Sequence, residues 1–471
     1  MDIETAYQQA LDYLYSFIDY SLTRSFRYSA EKFNLNRMVA LLQQLGNPHQ
    51  AYPVIHVAGT KGKGSVSALC ASALQAAGYR TGLYTSPHLE DYCERIQVDG
   101  EPISHAELAA LVEEIKPHAA AIPEITTFEL TTALGFLYFA RKGVTAAVLE
   151  VGLGGRLDAT NVVTPVVAVV TSISYDHVAV LGNTLTKIAG EKGGIIKPGI
   201  PVVISPQKDE ARNVLASIAA ERGSRLVEVG QDIRFASLEH SLEGQTLWVW
   251  RADDQRRVDS LLDFGDGKGL WQPLKLTLPL LGQHQVENAA TAYAALGIAR
   301  ERGMDIPDQA IEAGFRRVVW PARFEVLQKE PPVLLDSAHN RDSALKLRLS
   351  IDDYLSAMPV ILIFGASEDK DIEGMFAELL PRVKGVVATQ SIHPRAIEPG
   401  KLVELAHRYG RPAKAVLPVE EALTYAMHLA GGEAAVVVTG SVFVAAAARS
   451  AWLALDPSRR RPVEISLKGN R

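Results

Sequence analysis

The sequence predicts an α/β protein: a doubly wound sheet domain of the phosphate-loop type, followed by a smaller Rossmann-like domain. Three observations lead there. Short, almost wholly apolar runs at 54–58, 81–84, 146–151, 166–171 and 202–204 have the character of parallel strands covered on both faces. Helical runs at 64–77, 104–116, 128–141 and 184–195 alternate with them. A second strand–helix series begins at Val333, with strand runs at 333–336, 360–364, 386–388, 415–417 and 434–438.

At 471 residues the chain exceeds one ordinary domain, and two are expected. We place the first at 1–303, a linker at 304–321 and the second at 322–471. Within the first, the pattern changes from about 232 to 281. Thr246-Leu247-Trp248-Val249-Trp250 and Leu274-Lys275-Leu276-Thr277-Leu278 are alternating or β-rich, and Gly265-Asp266-Gly267 reads as a turn, so a small antiparallel insertion is expected. A helix at 286–300 follows. The segment after Gly303 is charged and irregular as far as Trp320-Pro321, which places the linker there. The most apolar stretch, 434–448, is too short to cross a bilayer and is broken by Thr439-Gly440-Ser441. It reads as a buried strand, a tight turn and a helix.

Composition narrows the function classes. Hydrophobic residues at 47% and charged residues at 22% give a full globular core. A formal net charge of −6 argues against a bulk nucleic-acid binder, which needs a basic face. The cysteines, Cys70 and Cys93, cannot build a disulfide framework and point to a reducing compartment. The opening MDIETAYQQA carries acids where a secretory signal carries bases. A cytoplasmic monomer without membrane or nucleic-acid partners is the expectation.

The strongest local signal is Gly59-Thr60-Lys61-Gly62-Lys63-Gly64-Ser65, between the run at 54–58 and the helix at 64–77. Glycines let backbone N–H groups turn inward around a polyphosphate, and the helix start adds positive potential. Lys63 can reach β/γ oxygens and Ser65 can ligate Mg²⁺. The spacing is one residue short of the usual phosphate loop, and Gly64 separates Lys63 from Ser65, so a ligand-free glycine turn is the alternative. Glu150 ends an apolar run with Gly152-Leu153-Gly154-Gly155 close behind. At the carboxyl end of a parallel strand it would face the same crevice, where a carboxylate suits Mg²⁺ or is simply a surface acid. His177, in Thr171-Ser172-Ile173-Ser174-Tyr175-Asp176-His177, reads as a metal or phosphate contact or as a structural histidine. Lys192, ending a helical run, reads by spacing alone as a surface lysine.

Taken together, GTKGKGS, TSPHL (85–89), TTFELTT (126–132), LEVGLGGRLDATN, Asp176-His177, EKGGIIKPG (191–199), GQHQVENAATA (282–292), LDSAHN (335–340) and FGASEDKD (364–371) closely resemble folylpolyglutamate synthase/dihydrofolate synthase, a branch of the Mur ligase superfamily. The resemblance runs from Tyr13 to Phe443. The first domain then looks like the Mur ligase central domain and the second like its glutamate-ligase domain. The resemblance implies ATP contacts from Gly59, Thr60, Lys61, Gly62, Lys63, Gly64, Ser65, Asn288, Arg323, Asp336 and His339. It implies Mg²⁺ ligation by Ser86, Glu150 and His177, with a second Mg²⁺ held by Lys192 after carbamylation by CO₂. Lys63, Glu150, His177 and Lys192 become the implied catalytic group. Thr126, Thr127, Phe128, Glu129, Leu157, Asp158 and Ala159 would grip the pteroate, Phe128 by stacking, and the loop 86–100 would cover it. The sequence departs at Gly193, where relatives commonly carry alanine, at Ser337, where valine or glycine is frequent, and at Ala322, where glycine is common.

The implied activity joins L-glutamate to the carboxylate of a folate or of dihydropteroate, with ATP and Mg²⁺, through an acyl phosphate. Two other enzymes compete with it. A phosphate-loop phosphotransferase would leave a stable phosphorylated product. A Mur-type ligase acting on another carboxylate usually carries an additional N-terminal substrate domain, and only a short stretch precedes Gly59 here. A nucleotide-binding regulator without chemistry has no need of Glu150 and Lys192.

Overall fold

The structure, a computed structural model, describes residues 2–18, 34–264 and 271–455. The turn expected at Gly265-Asp266-Gly267 lies outside the described residues, as do residues 19–33 of the stretch that carries the family resemblance. By its internal contacts the chain divides into two units. One comprises Met1–Ala236, Trp248–Leu276 and Glu287–Arg317, the other Ser237–Leu247, Thr277–Val286 and Val318–Arg471.

The first unit is built on an eight-stranded sheet. Its strands are β1 Val54–Ala58, β2 Thr81–Tyr84, β3 Ile96–Val98, β4 Glu101–Pro102, β5 Ala146–Glu150, β6 Val167–Val170, β7 Val202–Ile204 and β8 Leu226–Glu228. They lie in the order β4-β3-β2-β5-β1-β6-β7-β8. From β2 to β8 every neighbour pair is parallel, and β1, β2, β5, β6 and β7 are buried along their whole length. That burial explains the unbroken apolar runs: with helices on both faces, no strand residue meets water. β1 sits between β5 and β6, with Val57 beside Glu150 on one side and Val169 on the other. Its carboxyl end is therefore a switch point, where α/β sheets open their crevice.

Two edges of this sheet were not anticipated. β3 and β4 form an antiparallel hairpin across Asp99-Gly100, both at positive φ. An Asp-Gly pair between short β-prone runs is the signature of such a turn. β8, only three residues long, closes the other edge.

The expected linker is largely not a linker. Asp308–Arg317 is a helix whose Ala310, Ile311, Gly314 and Phe315 are buried. It packs on the helix Lys63–Ala76, with Ser72 Oγ donating to the Gly314 carbonyl at 2.7 Å. Charge masks the helical pattern here. Glu312, Arg316 and Arg317 crowd the segment, while the apolar residues at 310, 311, 314 and 315 already follow the helical period. Gly314 permits the close approach, since a Cβ there would lie 2.5 Å from Ala73 Cα.

β9 Ile233–Ser241, β10 Gly244–Arg251 and β11 Leu274–Leu278 form a separate three-stranded sheet in the order β11-β10-β9. β9 is an addition to the expected pair; its outer half is mostly exposed and carries little apolar signal. A helix, Gln283–Glu301, follows where one was expected.

The second unit holds a six-stranded sheet of β12 Glu325–Lys329, β13 Pro332–Leu335, β14 Val360–Phe364, β15 Val383–Ala388, β16 Ala413–Ala415 and β17 Ala435–Thr439. The order is β12-β13-β17-β14-β15-β16, parallel throughout except for β12. The stretch at 434–448 is a strand, a turn at Gly440 and the start of the helix Val442–Leu455, as its pattern required. The strand expected at 415–417 pairs at 413–415 instead, and Leu417 is 50% exposed. Pro418 has no N–H to donate to a ladder, so pairing stops short of it.

The packing of the two helices gives a test. Gly314→Ala is expected to lower unfolding free energy by about 1–3 kcal/mol through overpacking. Gly297→Ala, where a Cβ meets nothing within 4 Å, is expected to stabilise by up to about 1 kcal/mol. Denaturant midpoints of both variants check this; equal gains would show that the helices part freely.

Candidate active site

After β1 the chain turns at Gly59, with φ of 146°, and at Gly62, with φ of 91°. A Cβ at Gly59 would fall 1.8 Å from Thr171 Oγ1, and one at Gly62 would fall 2.2 Å from Asn288 Oδ1. Both positions therefore need glycine for space as well as for conformation. The loop rests on the exit of β6. Thr60 and Lys61 each donate a backbone N–H to the Ser172 carbonyl, at 3.0 and 3.1 Å, and Thr60 Oγ1 donates to the Ser174 carbonyl at 3.2 Å. Gly62 then starts the helix Lys63–Ala76 without a side-chain cap, as a helix start that receives an anion requires.

Charged groups from four segments meet here. Glu150, ending β5, is 5% exposed, and its carboxylate lies 3.8 Å from Lys63 Nζ and accepts the Ser86 N–H at 3.2 Å. Lys61 Nζ pairs with Asp176 Oδ2 at 3.1 Å. Lys192 is also 5% exposed and donates from Nζ to the Gly59 carbonyl at 2.7 Å. Burial pulls the Lys192 amine down to about 7, and the neighbouring Lys63 and Lys61 charges push the same way, against Asp176 and Asp158. Lys61 and Lys63 are thus each set beside an acid, while burial moves Lys192 toward its neutral form.

His177 stands apart in character. It is exposed, with a left-handed backbone (φ 49°), at the start of the short helix Val178–Leu181, and its Nε2 is 3.9 Å from Asp176 Oδ1. Asp176 thus lies between His177 and Lys61. In the sequence Asp176 stands out only as the neighbour of His177, because nothing in the spacing marks a contact with Lys61.

The Gly152-Leu153-Gly154-Gly155 loop sets the position of Lys192. A Cβ at Gly155 would lie 2.8 Å from the Glu191 carbonyl, and Arg156 N donates to that carbonyl at 2.8 Å. At Gly193 a methyl would meet Ile218 Cδ1 at 2.6 Å, the end of a flexible side chain that can move aside, so the structure does not explain that departure.

On the substrate side, most of the expected contacts are engaged within the chain. Thr126 and Glu129 form a capping box for the helix Thr127–Arg141, and Glu129 also pairs with Arg37 at 3.1 Å. Thr127 Oγ1 donates to the Leu14 carbonyl at 2.9 Å. These three are buried, and only Phe128 of the four is partly exposed. Its ring would come within 2.4 Å of a Cβ at Gly152. Leu157 is half-buried and Ala159 buried. Asp158 is buried, with both carboxylate oxygens engaged: Oδ1 accepts from Thr160 N and Oγ1, Oδ2 from Leu153 N. Burial raises its pKa, and these bonds oppose the rise.

In the second unit, Arg323 lies between Ala322 and Phe324, both left-handed at φ of 54° and 49°. Arg323 Nη1 donates to the Ala322 carbonyl at 3.0 Å and to Ser337 Oγ. Asp336 accepts the N–H groups of Phe324 at 2.9 Å and Ala338 at 2.8 Å, and His339 Nδ1 lies 2.9 Å from the Ser337 carbonyl. The two departures at 322 and 337 thus fall on the residues that surround Arg323.

The family pattern of the Mur ligase middle domain matches residues 57–296, and that of the Mur ligase glutamate ligase domain matches residues 322–442. The dihydrofolate synthase/folylpolyglutamate synthase of Bacillus subtilis is 37% identical over 382 residues, 80% of this chain and 83% of its own length. The folylpolyglutamate synthase of Lacticaseibacillus casei is 33% identical over 95% of this chain and 99% of its own. The solved structure of Mycobacterium tuberculosis folylpolyglutamate synthase complexed with ADP superposes with a TM-score of 0.82 at 33% identity, covering 96% of this chain and 99% of that one. E. coli FolC in complex with DHPP and ADP gives 0.79 at 30% identity, covering 96% and 98%.

The loop geometry is open to direct measurement. Gly62→Ala must displace Asn288 and hold alanine at a φ of 91°, and is expected to weaken binding of a triphosphate nucleotide at least about tenfold. Calorimetric titration with an unhydrolysable triphosphate checks it, and unchanged affinity would mean that the loop does not cradle phosphate.

Proposed function

The chain belongs to the folylpolyglutamate synthase/dihydrofolate synthase family of Mur ligases, and from that premise we propose that it joins L-glutamate, with ATP, to the carboxylate of dihydropteroate and of reduced folates. One observation carries the reading: Lys63 stands 3.8 Å from Glu150 beside the phosphate loop, and Lys192 donates to that loop at 2.7 Å. We assign phosphate handling to residues 1–303 and the glutamate-ligase role to residues 322–471.

A carboxylate and an amine do not condense in water without activation. The loop amides and the helix start hold the triphosphate, and Lys63 offsets the charge that grows as the γ-phosphoryl passes to the substrate carboxylate. The glutamate amine attacks the resulting acyl phosphate; a C–N bond forms, the C–O bond to phosphate breaks, and the amine proton is released. Ser86, Glu150 and His177 would hold a Mg²⁺, for which hard oxygen donors such as the buried Glu150 carboxylate fit. A second would sit on Lys192 as its carbamate; bound magnesium supplies neutralisation of phosphate charge. Lys192 suits carbamylation because burial favours its neutral amine, the form that attacks CO₂, and Lys61 and Lys63 favour the anion that results.

Phe128 offers the partly exposed ring on which a pteroate can stack, and the half-buried Leu157 is assigned to the same pocket. Thr126, Thr127, Glu129, Asp158 and Ala159 shape that pocket from within. Asn288, Arg323 and His339 are assigned to the nucleotide, with Asp336 holding the Arg323 loop in place. We place the protein in the cytoplasm, as a monomer, where Cys70 and Cys93 remain thiols. Among the described residues no helix is long and apolar enough to cross a membrane.

Product mass decides the reaction. With ATP, Mg²⁺ and glutamate, dihydropteroate and a reduced folate should each gain one glutamate while free phosphate appears. A stable phosphorylated product would instead show a phosphotransferase. Glu150→Gln and Lys192→Ala should each lower kcat at least about a hundredfold. Carbon-13 bicarbonate should give a carbamate resonance that Lys192→Ala lacks. That resonance should grow as pH rises through about 7, where the amine loses its proton. A signal indifferent to Lys192 would remove the carbamate from the reading.

A further inference from the structure

A buried hydrogen-bond chain ties Asp158 to two residues that the mechanism leaves unused, His56 and Thr160. His56, in the middle of β1, is wholly buried between the apolar Ile55 and Val57. Its Nε2 lies 2.8 Å from Thr160 Oγ1. Thr160 Oγ1 donates to Asp158 Oδ1 at 2.5 Å, and Thr160 N reaches the same oxygen at 3.0 Å. Asp158 Oδ2 accepts the Leu153 N–H at 3.0 Å.

Donor and acceptor chemistry fixes the direction of this chain. An ionised carboxylate only accepts, so the single Thr160 hydroxyl proton goes to Asp158, and the hydroxyl oxygen accepts from His56 Nε2–H. His56 is then the neutral Nε2–H tautomer. Burial agrees, holding its pKa down at about 3. Among the described residues its Nδ1 has no hydrogen-bond partner, and in this tautomer it is a bare lone pair rather than a buried donor. A strand position that served packing alone would be filled by valine or isoleucine, as its neighbours are.

The far end of the chain is the glycine loop, which touches both halves of the chemistry. At Gly152 it lies under the Phe128 ring, 2.4 Å from a Cβ built there. At Gly155 it presses on the backbone of Lys192, with a Cβ 3.0 Å from that residue's carbonyl. We propose that His56 and Thr160 are positioning residues that act through Asp158 to fix the loop at 152–155, and so set the aromatic platform of Phe128 relative to the lysine at 192. The proposal rests on the reading above that Phe128 faces the pteroate.

Steady-state kinetics with dihydropteroate test it. Thr160→Val keeps the shape and removes the hydroxyl. Its kcat/KM for dihydropteroate should fall at least about tenfold, the scale of one hydrogen bond to a charged group, with KM for ATP within about twofold of wild type. Thr160→Ser should restore most of the loss. His56→Gln, whose amide can donate at similar reach, should retain more activity than His56→Phe. A parallel variant, Phe128→Ala, separates the two claims. If it raises the dihydropteroate KM while Thr160→Val behaves as wild type, the pocket stands and the positioning chain is wrong. If Phe128→Ala has no effect, the pocket reading fails and the proposal with it. If Thr160→Val loses ATP and dihydropteroate affinity equally and melts earlier, its hydroxyl is merely structural and the proposal falls.

Discussion

The close approach of Gly59 to Thr171 constrains the carboxyl edge of the first sheet. With no room for a Cβ between them, the chain leaving β1 lies directly on the chain leaving β6. That closeness lets one carbonyl, Ser172 O, satisfy two successive loop amides. It also turns the Gly59 carbonyl toward Lys192, whose amine is stripped of water and set among other cations. An ordinary surface lysine would stay charged; here the low-dielectric setting and like charges favour loss of the proton. One steric fact at a strand end thus governs both the shape of the phosphate loop and the chemistry open to a lysine more than a hundred positions away.

A second theme is that polar side chains near the site serve the chain before any ligand. Thr126 and Glu129 cap a helix, Thr127 holds the Leu14 carbonyl, and Asp336 fastens the backbone at Phe324 and at Ala338. Buried donors and acceptors must be satisfied, and those around a pocket are satisfied first by the protein itself. What is left facing outward is mainly aromatic and backbone surface, with a few charged groups. A motif residue can therefore be essential to binding without ever touching what is bound.

How much of this was legible in the sequence follows from the same physics. The parallel strands were plain, because full burial writes itself as an unbroken apolar run; the bounds of β1, β2 and β7 match to the residue. The meeting of Lys63 and Glu150 was legible too, since parallel strands bring their carboxyl ends to one edge. The helix Asp308–Arg317 was hidden by its charges, and β16 was read two residues too far along the chain. Contacts made only through space left no trace: Asp176 with Lys61, and His56 with Thr160, are separated by 115 and 104 residues. Resemblance to a family supplied the role of Lys192, which spacing alone put on the surface.

The docking of the helix Asp308–Arg317 has a bearing on biosynthesis. Its contact through Ser72 and Gly314 spans 242 positions. A ribosome extruding this chain releases the helix Lys63–Ala76 long before the segment that covers it. Until residue 317 has cleared the exit tunnel, the helix Lys63–Ala76 lacks the cover of the helix Asp308–Arg317. Non-local closure of this kind slows folding and prolongs the exposure of apolar surface. The growing polypeptide is thus a natural client for chaperones at mid-translation, and a gene fragment ending near codon 303 encodes an unsealed half.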